Sequence, residues 1–81
     1  MIPPARVLWK CRRGMREMDI LLARFLERGY DTLDAAGRAD FDRLLELSDQ
    51  DLLLWLCGAG LPDEAALAQL VRHMRSVVAR P

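Results

Sequence analysis

Apolar residues recur with the spacing of an amphipathic helix along nearly the whole chain, and no stretch shows the strict alternation of a half-buried strand. Glycines and prolines interrupt this pattern and divide it into about five segments. A chain of 81 residues has a small core, so its helices must bury their apolar faces against one another. We therefore predict an all-α fold, in which a single compact bundle of about five short helices forms one domain over residues 1–81.

Local signals indicate where each helix begins and ends. Pro3 and Pro4 favour the start of a first helix, which we expect to run from about residue 4 to Arg13, before Gly14 stops it. We expect the second helix to cover residues 15–28, and the third to run from a cap at Thr32 or Asp34 to about residue 46. The fourth should cover residues 49–56 with Ser48 as its cap, and the fifth about residues 63–78.

The predicted core consists of the apolar side chains that share one face of each long helix. Spacings of three and four positions bring these side chains onto a continuous stripe. The expected core residues are Val7, Leu8, Cys11, Met18, Leu21, Leu22, Phe25, Leu26, Phe41, Leu44, Leu45, Leu67, Leu70, Val71, Met74 and Val77.

The chain carries no net charge, but its charges are unevenly distributed. Residues 1–30 contain seven Lys or Arg against three Asp or Glu, whereas residues 31–81 contain five against nine. Nucleic-acid binders usually have a clear basic excess, because neutralising phosphates supplies much of their affinity. The balanced but polarised charge therefore favours a protein-binding surface.

Few residues in this sequence are typical of catalysis or metal binding. His73 is the only histidine, and Cys11 lies far from Cys57, so no cluster has the ligand spacing of a zinc site. We expect His73 to be solvated and both cysteines to be reduced thiols. Ser48 and Ser76 are the only serines, and Ser48 already serves as a cap. The sequence therefore favours a protein without enzymatic activity.

The sequence also bears on cellular location. The first residues lack the apolar stretch of a signal peptide. The longest uninterrupted apolar run, Leu52–Cys57, is far shorter than the roughly 20 residues that span a bilayer. We expect a cytoplasmic protein with no transmembrane segment.

The most informative segment is the expected corner between the first two helices, residues 9–19. It places three arginines, a glycine and two carboxylates where several side chains can point to one patch of solvent: Arg12, Arg13, Gly14, Arg16, Glu17 and Asp19. A simpler interpretation is also open. Gly14 would then be only a turn residue, and Arg13 and Glu17 would form an ordinary exposed ion pair worth about 0–1 kcal/mol.

The run Arg13-Gly14-Met15-Arg16-Glu17 resembles the RGxxE motif of the SdhE-type flavinylation factors, also called the succinate dehydrogenase assembly factor 2 family. Downstream, Phe41-x-x-Leu44-Leu45 and Asp49-x-Asp51-Leu52-x-x-Trp55-Leu56 are similar to the third and fourth helices of that family. The resemblance covers about residues 6–74.

The resemblance implies a binding chaperone and not an enzyme. Such a factor would bind the flavoprotein subunit of succinate dehydrogenase and promote covalent attachment of FAD to a histidine of that client. The flavoprotein subunit of fumarate reductase is a possible second client. It would hold no cofactor permanently and would act as a monomer. The implied partner-binding residues are Arg13, Gly14 and Glu17, with Arg6, Met15 and Arg16 extending the patch.

Two other functions stay open. A helical nucleic-acid binder would use Arg12, Arg13 and Arg16 to contact phosphates. An antitoxin-like or membrane-associated interaction module is the second, because members of the same family have also been described as the antitoxin CptB.

Overall fold

A computed structural model describes residues 3–79, so the two ends of the predicted 1–81 domain lie outside the described residues. The described chain is all-α, which confirms the predicted fold class. Its helices are α1 (Ala5–Lys10), α2 (Arg16–Arg28), α3 (Ala35–Leu45), α4 (Asp49–Leu56) and α5 (Ala65–Val78). A 3₁₀ turn at Tyr30–Thr32, which the sequence pattern did not indicate, links α2 to α3. No helix within residues 3–79 is long and apolar enough to span a membrane.

Side-chain caps begin two of the helices as predicted. The Asp34 carboxylate accepts a hydrogen bond from the Gly37 N–H at 2.7 Å, and so caps α3. The Ser48 hydroxyl accepts one from the Asp51 N–H at 3.2 Å, and so caps α4. Both bonds satisfy N–H groups that have no partner inside the helix. This explains why α3 begins after Asp34 and α4 begins after Ser48.

The first helix is shorter than predicted, because it ends at Lys10 and not at Arg13. The Arg12 N–H bonds the Trp9 carbonyl three positions back, and the Arg13 N–H leaves the helical pattern to bond the Asp19 carboxylate at 2.8 Å. The Arg13 N–H thus bonds a carboxylate of the next helix, and not the backbone carbonyl that would have continued the first helix. Helix α5 begins at Ala65, two residues later than expected, after Glu64 as its N-cap.

The core lies where α2, α3 and α5 meet. The Phe25 ring lies 5.3 Å from the Phe41 ring between centroids, and the Tyr30 ring meets Phe41 edge-on at 5.9 Å. Most predicted core residues are buried, but Leu21 and Leu26 are half-buried and Leu8 is 41% exposed. Leu8 is exposed because α1 has only six residues and therefore a narrow buried stripe, which Val7 fills together with Cys11 just after the helix end.

The expectation of a solvated His73 is wrong. This residue is half-buried and packs edge-on against Phe25, with 6.0 Å between ring centroids. Its Nε2 lies 3.0 Å from the Thr32 hydroxyl, which itself donates to the Gly29 carbonyl at 2.5 Å. Because the hydroxyl hydrogen is already used, Nε2 must be the donor to Thr32. His73 therefore fastens the 3₁₀ turn to α5.

Candidate partner-binding site at the corner of the first two helices

The loop between α1 and α2 is held in one shape by its own residues. Gly14 has φ +75°, a left-handed conformation that residues with a side chain rarely adopt. Asp19, in the first turn of α2, accepts the hydrogen bond from the Arg13 N–H and so closes the loop. A Cβ placed on Gly14 would meet no atom within 4 Å. Glycine is thus required by the backbone conformation, while the space beside it is free.

Arg13 points inward, contrary to the expectation of an exposed side chain. Its side chain is only 16% exposed, and Nη1 lies 3.4 Å from the Asp49 carboxylate. Its Nη2 donates a hydrogen bond to the backbone carbonyl of Leu45, in the last turn of α3. That carbonyl has no partner within its own helix. Arg13 therefore links the loop to the α3–α4 junction, and it does not pair with Glu17.

Arg13 is the last of three cations that follow one side of the α3–α4 segment. Arg6 donates to Asp42 at 2.7 Å, and Lys10 to Glu46 at 2.6 Å. Each of these pairs, like Arg13 with Asp49, joins residues 36 positions apart, so α1 and its following loop run parallel to α3. The hydrogen bond to Glu46 raises the pKa of Lys10.

These pairs revise the interpretation of the uneven charge. Arg6 was expected to extend a patch with Arg13, and the two do lie on the same side, but that side is turned toward the acidic residues of α3 and α4. Ion pairs within the molecule therefore use part of the basic excess of residues 1–30 to neutralise part of the acidic excess of residues 31–81.

Glu17 points away from this network. It is exposed in the first turn of α2, and within residues 3–79 its carboxylate has no hydrogen bond or ion pair. Arg16 beside it is also exposed and, in that part of the chain, also unpaired. Met15 is half-buried and packs against the core, so less of it is available to a partner than we expected. The predicted site thus divides into inward residues that brace the loop and outward residues that face solvent.

A groove of about 600 Å³ lies between α1 and α2, directly beside this loop. Its walls come from two helix faces and the loop that joins them: Leu8, Cys11, Arg12, Gly14, Asp19, Ala23 and Leu26. Burial raises the pKa of the Cys11 thiol to about 11, so this sulfur is a protonated, unreactive part of the wall at neutral pH.

Glu17 lies outside this groove. It precedes Asp19 by two positions, a rotation of about 200° around an α-helix, so the two carboxylates face different sides of α2. A partner that reached both Glu17 and the groove would have to cover the outer surface of α2 as well.

Sequence reasoning missed three components of this corner. Asp49 and the Leu45 carbonyl receive Arg13, yet both lie more than 30 positions away and nothing in the local pattern connects them to it. Trp9 is 76% exposed, although a tryptophan in a small helical protein is usually well covered. No sequence signal indicated this exposure, because it follows from the six-residue length of α1, which the sequence did not predict. Within residues 3–79 no group of His, Cys, Asp or Glu side chains is arranged to hold a metal ion.

Comparison with known proteins gives a consistent result. Residues 5–78 match the family described as flavinator of succinate dehydrogenase. The FAD assembly factor SdhE of Yersinia pseudotuberculosis is 46% identical over 72 residues, which cover 89% of this chain and 82% of that protein. The protein of the same name from Methylococcus capsulatus is 44% identical over 73 residues, covering 90% and 88%. That from a Serratia species is 46% identical over 73 residues, covering 90% and 78%.

The family match extends over all five helices of the described chain and includes the loop with Gly14 at positive φ. They agree with the family that the Arg13–Glu17 motif resembles. The chain therefore belongs to the family of flavinators of succinate dehydrogenase.

Proposed function

We propose that this protein is a non-enzymatic assembly factor, which binds the flavoprotein subunit of succinate dehydrogenase and promotes covalent attachment of its FAD. Family membership and the names of the relatives support this proposal. The observation that carries it is the Gly14–Glu17 segment, where Gly14, Arg16 and Glu17 are exposed at the junction of the α1–α2 loop with α2. The hydrogen bonds of Arg13 to Asp19 and Leu45 fix this loop against the rest of the fold. A rigid surface loses little conformational entropy when it binds.

The factor contributes positioning, and the chemistry belongs to the FAD and the client. Holding the cofactor and a client histidine in a reactive arrangement can lower a barrier by several kcal/mol without any catalytic group from the chaperone. In this proposal the FAD stays with the client, and the factor holds no cofactor of its own. The flavoprotein of fumarate reductase is proposed as a further client. The two free thiols agree with a reducing, cytoplasmic location.

The residues of the motif have different roles in this proposal. Glu17 and Arg16 contact the client directly, because both side chains are exposed and, within residues 3–79, unpaired. Gly14 leaves room for the client backbone beside the loop. Arg13 acts indirectly, since its guanidinium is already used by Leu45 and Asp49 and holds the loop in place. Arg6 and Met15 contribute at the edge, through the parts of their side chains that stay accessible.

The experiment that tests the proposal is an affinity purification of the chain from its own cells. We expect the wild-type chain to retain a flavoprotein whose covalent FAD is detected by in-gel fluorescence. Glu17→Ala should retain much less of it, whereas Glu27→Ala, an exposed glutamate at the other end of α2, should retain as much as wild type. Recovery of a small membrane protein with no flavoprotein would instead support the antitoxin-like alternative.

A further inference from the structure

The surface around the α1–α2 groove carries two cations that the fold does not use. Arg12 lines the groove, and Arg16 stands at the start of its other wall; both are exposed and have no partner among residues 3–79. They differ in this from Arg6, Lys10 and Arg13, each of which is paired with an acidic residue of α3 or α4. Asp19 also lines the groove, but it already accepts the Arg13 N–H. Two arginines against one carboxylate therefore leave a net positive charge around the groove.

The two helices that form this groove also carry exposed apolar side chains. Leu8, 41% exposed, forms part of its α1 wall, and Trp9 follows it at 76% exposed. On the other side Ile20 is 44% exposed and lies one helical turn from Arg16. Isolated exposed apolar residues are ordinary on protein surfaces, whereas several of them on the helices that wall a concave site, a tryptophan among them, are typical of protein interfaces.

We propose that the α1–α2 groove receives a segment of the client flavoprotein in which an apolar side chain is flanked by carboxylates. The apolar side chain enters the groove against Leu8 and Leu26, and the carboxylates pair with Arg12 and Arg16. The charge of the rim determines this choice, since an acidic segment neutralises both free arginines. The inference rests on the proposed function and adds a second contact surface to Glu17, on the other side of α2.

A second copy of the chain fits the groove less well. A symmetric dimer through this face would bring the rims of both copies together, and with them Arg12 and Arg16 of each copy. Like charges placed together in an interface are unfavourable. The partner should therefore be acidic where this surface is basic.

Filling the groove tests the proposal. Ala23 lies on the groove wall and is exposed, so Ala23→Trp occupies the groove without disturbing the core. Ala65→Trp makes the same change at an exposed helical position outside the groove. Affinity for the purified FAD-loaded flavoprotein subunit is measured by titration, and a thermal melt shows that each variant is folded. We expect Ala23→Trp to weaken binding about thirtyfold and Ala65→Trp to leave it within about twofold.

Charge reversal tests the rim. Arg12→Glu and Arg16→Glu should each weaken binding about tenfold and reduce its dependence on salt. Arg72→Glu, at an exposed and unpaired position of α5 within the described chain, should do neither.

The possible outcomes separate the two proposals. If the wild-type chain binds the flavoprotein and Ala23→Trp binds it equally well, the groove is not the docking site, although the proposed function stands. Equal effects of the three charge reversals would likewise overturn the groove proposal. A concentration-dependent dimer that Ala23→Trp disrupts would make a second copy the occupant, against our inference. A wild-type chain that does not bind the flavoprotein would overturn the proposed function together with the groove.

Discussion

The guanidinium of Arg13 donates a hydrogen bond to the backbone carbonyl of Leu45, across 32 positions of the chain. This carbonyl belongs to the last turn of α3, where no helical N–H is available to it. With the nearby Asp49 carboxylate, the bond fixes the α1–α2 loop against the α3–α4 junction. The first residue of the motif thus stabilises the loop that contains Gly14 and leads into the first turn of α2, where Glu17 lies.

Arg13 should therefore contribute to the stability of the folded protein, whereas an exposed arginine, as the sequence predicted, would contribute little. We predict that Arg13→Ala lowers the free energy of unfolding by about 1.5–3 kcal/mol, because the charge-assisted hydrogen bond to Leu45 and the partly buried ion pair with Asp49 are both lost. The neighbouring Arg12→Ala should change it by less than about 0.5 kcal/mol, since that side chain is exposed. Chemical denaturation of both variants measures the difference. Equal stabilities would mean that the inward contacts of Arg13 contribute nothing.

The indirect role of Arg13 can be separated from direct contact by a double-mutant cycle on client binding. If Arg13 acts through Asp49, then Asp49→Ala should also weaken binding, and the double variant should bind no worse than Arg13→Ala. The expected coupling is about 0.5–3 kcal/mol. Asp51→Ala is the matched control, because Asp51 is also an acidic residue in the first turn of α4 but does not meet Arg13. Additive losses would instead indicate that Arg13 contacts the client itself.

The contrast between Ser48 and Arg13 shows which features could be predicted from the sequence. Ser48 caps α4 by bonding the N–H of Asp51, only three residues further along the chain. A local pattern therefore contains both partners, and the bounds of α4 were predicted correctly. Arg13 finds its partners more than 30 residues away. Its motif indicated a functional loop, but no local feature distinguishes an arginine that faces solvent from one that faces a helix end. Likewise His73 depends on Thr32, 41 positions earlier.

Gly14 should respond differently to side chains that tolerate its backbone conformation and those that do not. Asparagine adopts positive φ more readily than most residues, whereas valine is strongly disfavoured there. We predict that Gly14→Asn keeps nearly wild-type stability, while Gly14→Val loses more than about 1 kcal/mol. Thermal melting measures this part of the prediction.

Client affinity then reveals what the interface requires of Gly14. On our proposal Gly14→Asn binds the flavoprotein much more weakly than its stability explains, because the added side chain occupies the space left for the client. Wild-type affinity in that variant would leave Gly14 as a turn residue alone.

The two cysteines should differ in reactivity. Burial raises the pKa of the Cys11 thiol to about 11, so little thiolate is present at pH 8, while Cys57 is exposed. We predict that a thiol reagent at pH 8 labels Cys57 rapidly and Cys11 only slowly, with both labelled at once in denaturant. The rates of labelling are followed by mass spectrometry of peptides. Rapid labelling of Cys11 in the folded protein would show that α1 separates readily from the bundle.

The same thiol makes stability depend on pH. The pKa of Cys11 is higher in the folded protein than its ordinary value of 9.0, so the folded state favours the protonated form. This contribution to stability is intact below about pH 9 and decreases as pH rises toward 11. Cys11→Ala should remove that part of the pH dependence, which denaturation curves at pH 8 and pH 10 would detect. An unchanged dependence in the variant would assign it to other groups.

The most direct test of the central claim is the amount of covalently bound flavin on the flavoprotein in cells that lack this protein. We predict that the flavoprotein polypeptide remains while most of its in-gel flavin fluorescence is lost. Restoring the wild-type chain should recover the fluorescence, and restoring Glu17→Ala at equal abundance should not. Normal fluorescence in the deletion strain, under its native growth conditions, would contradict the account.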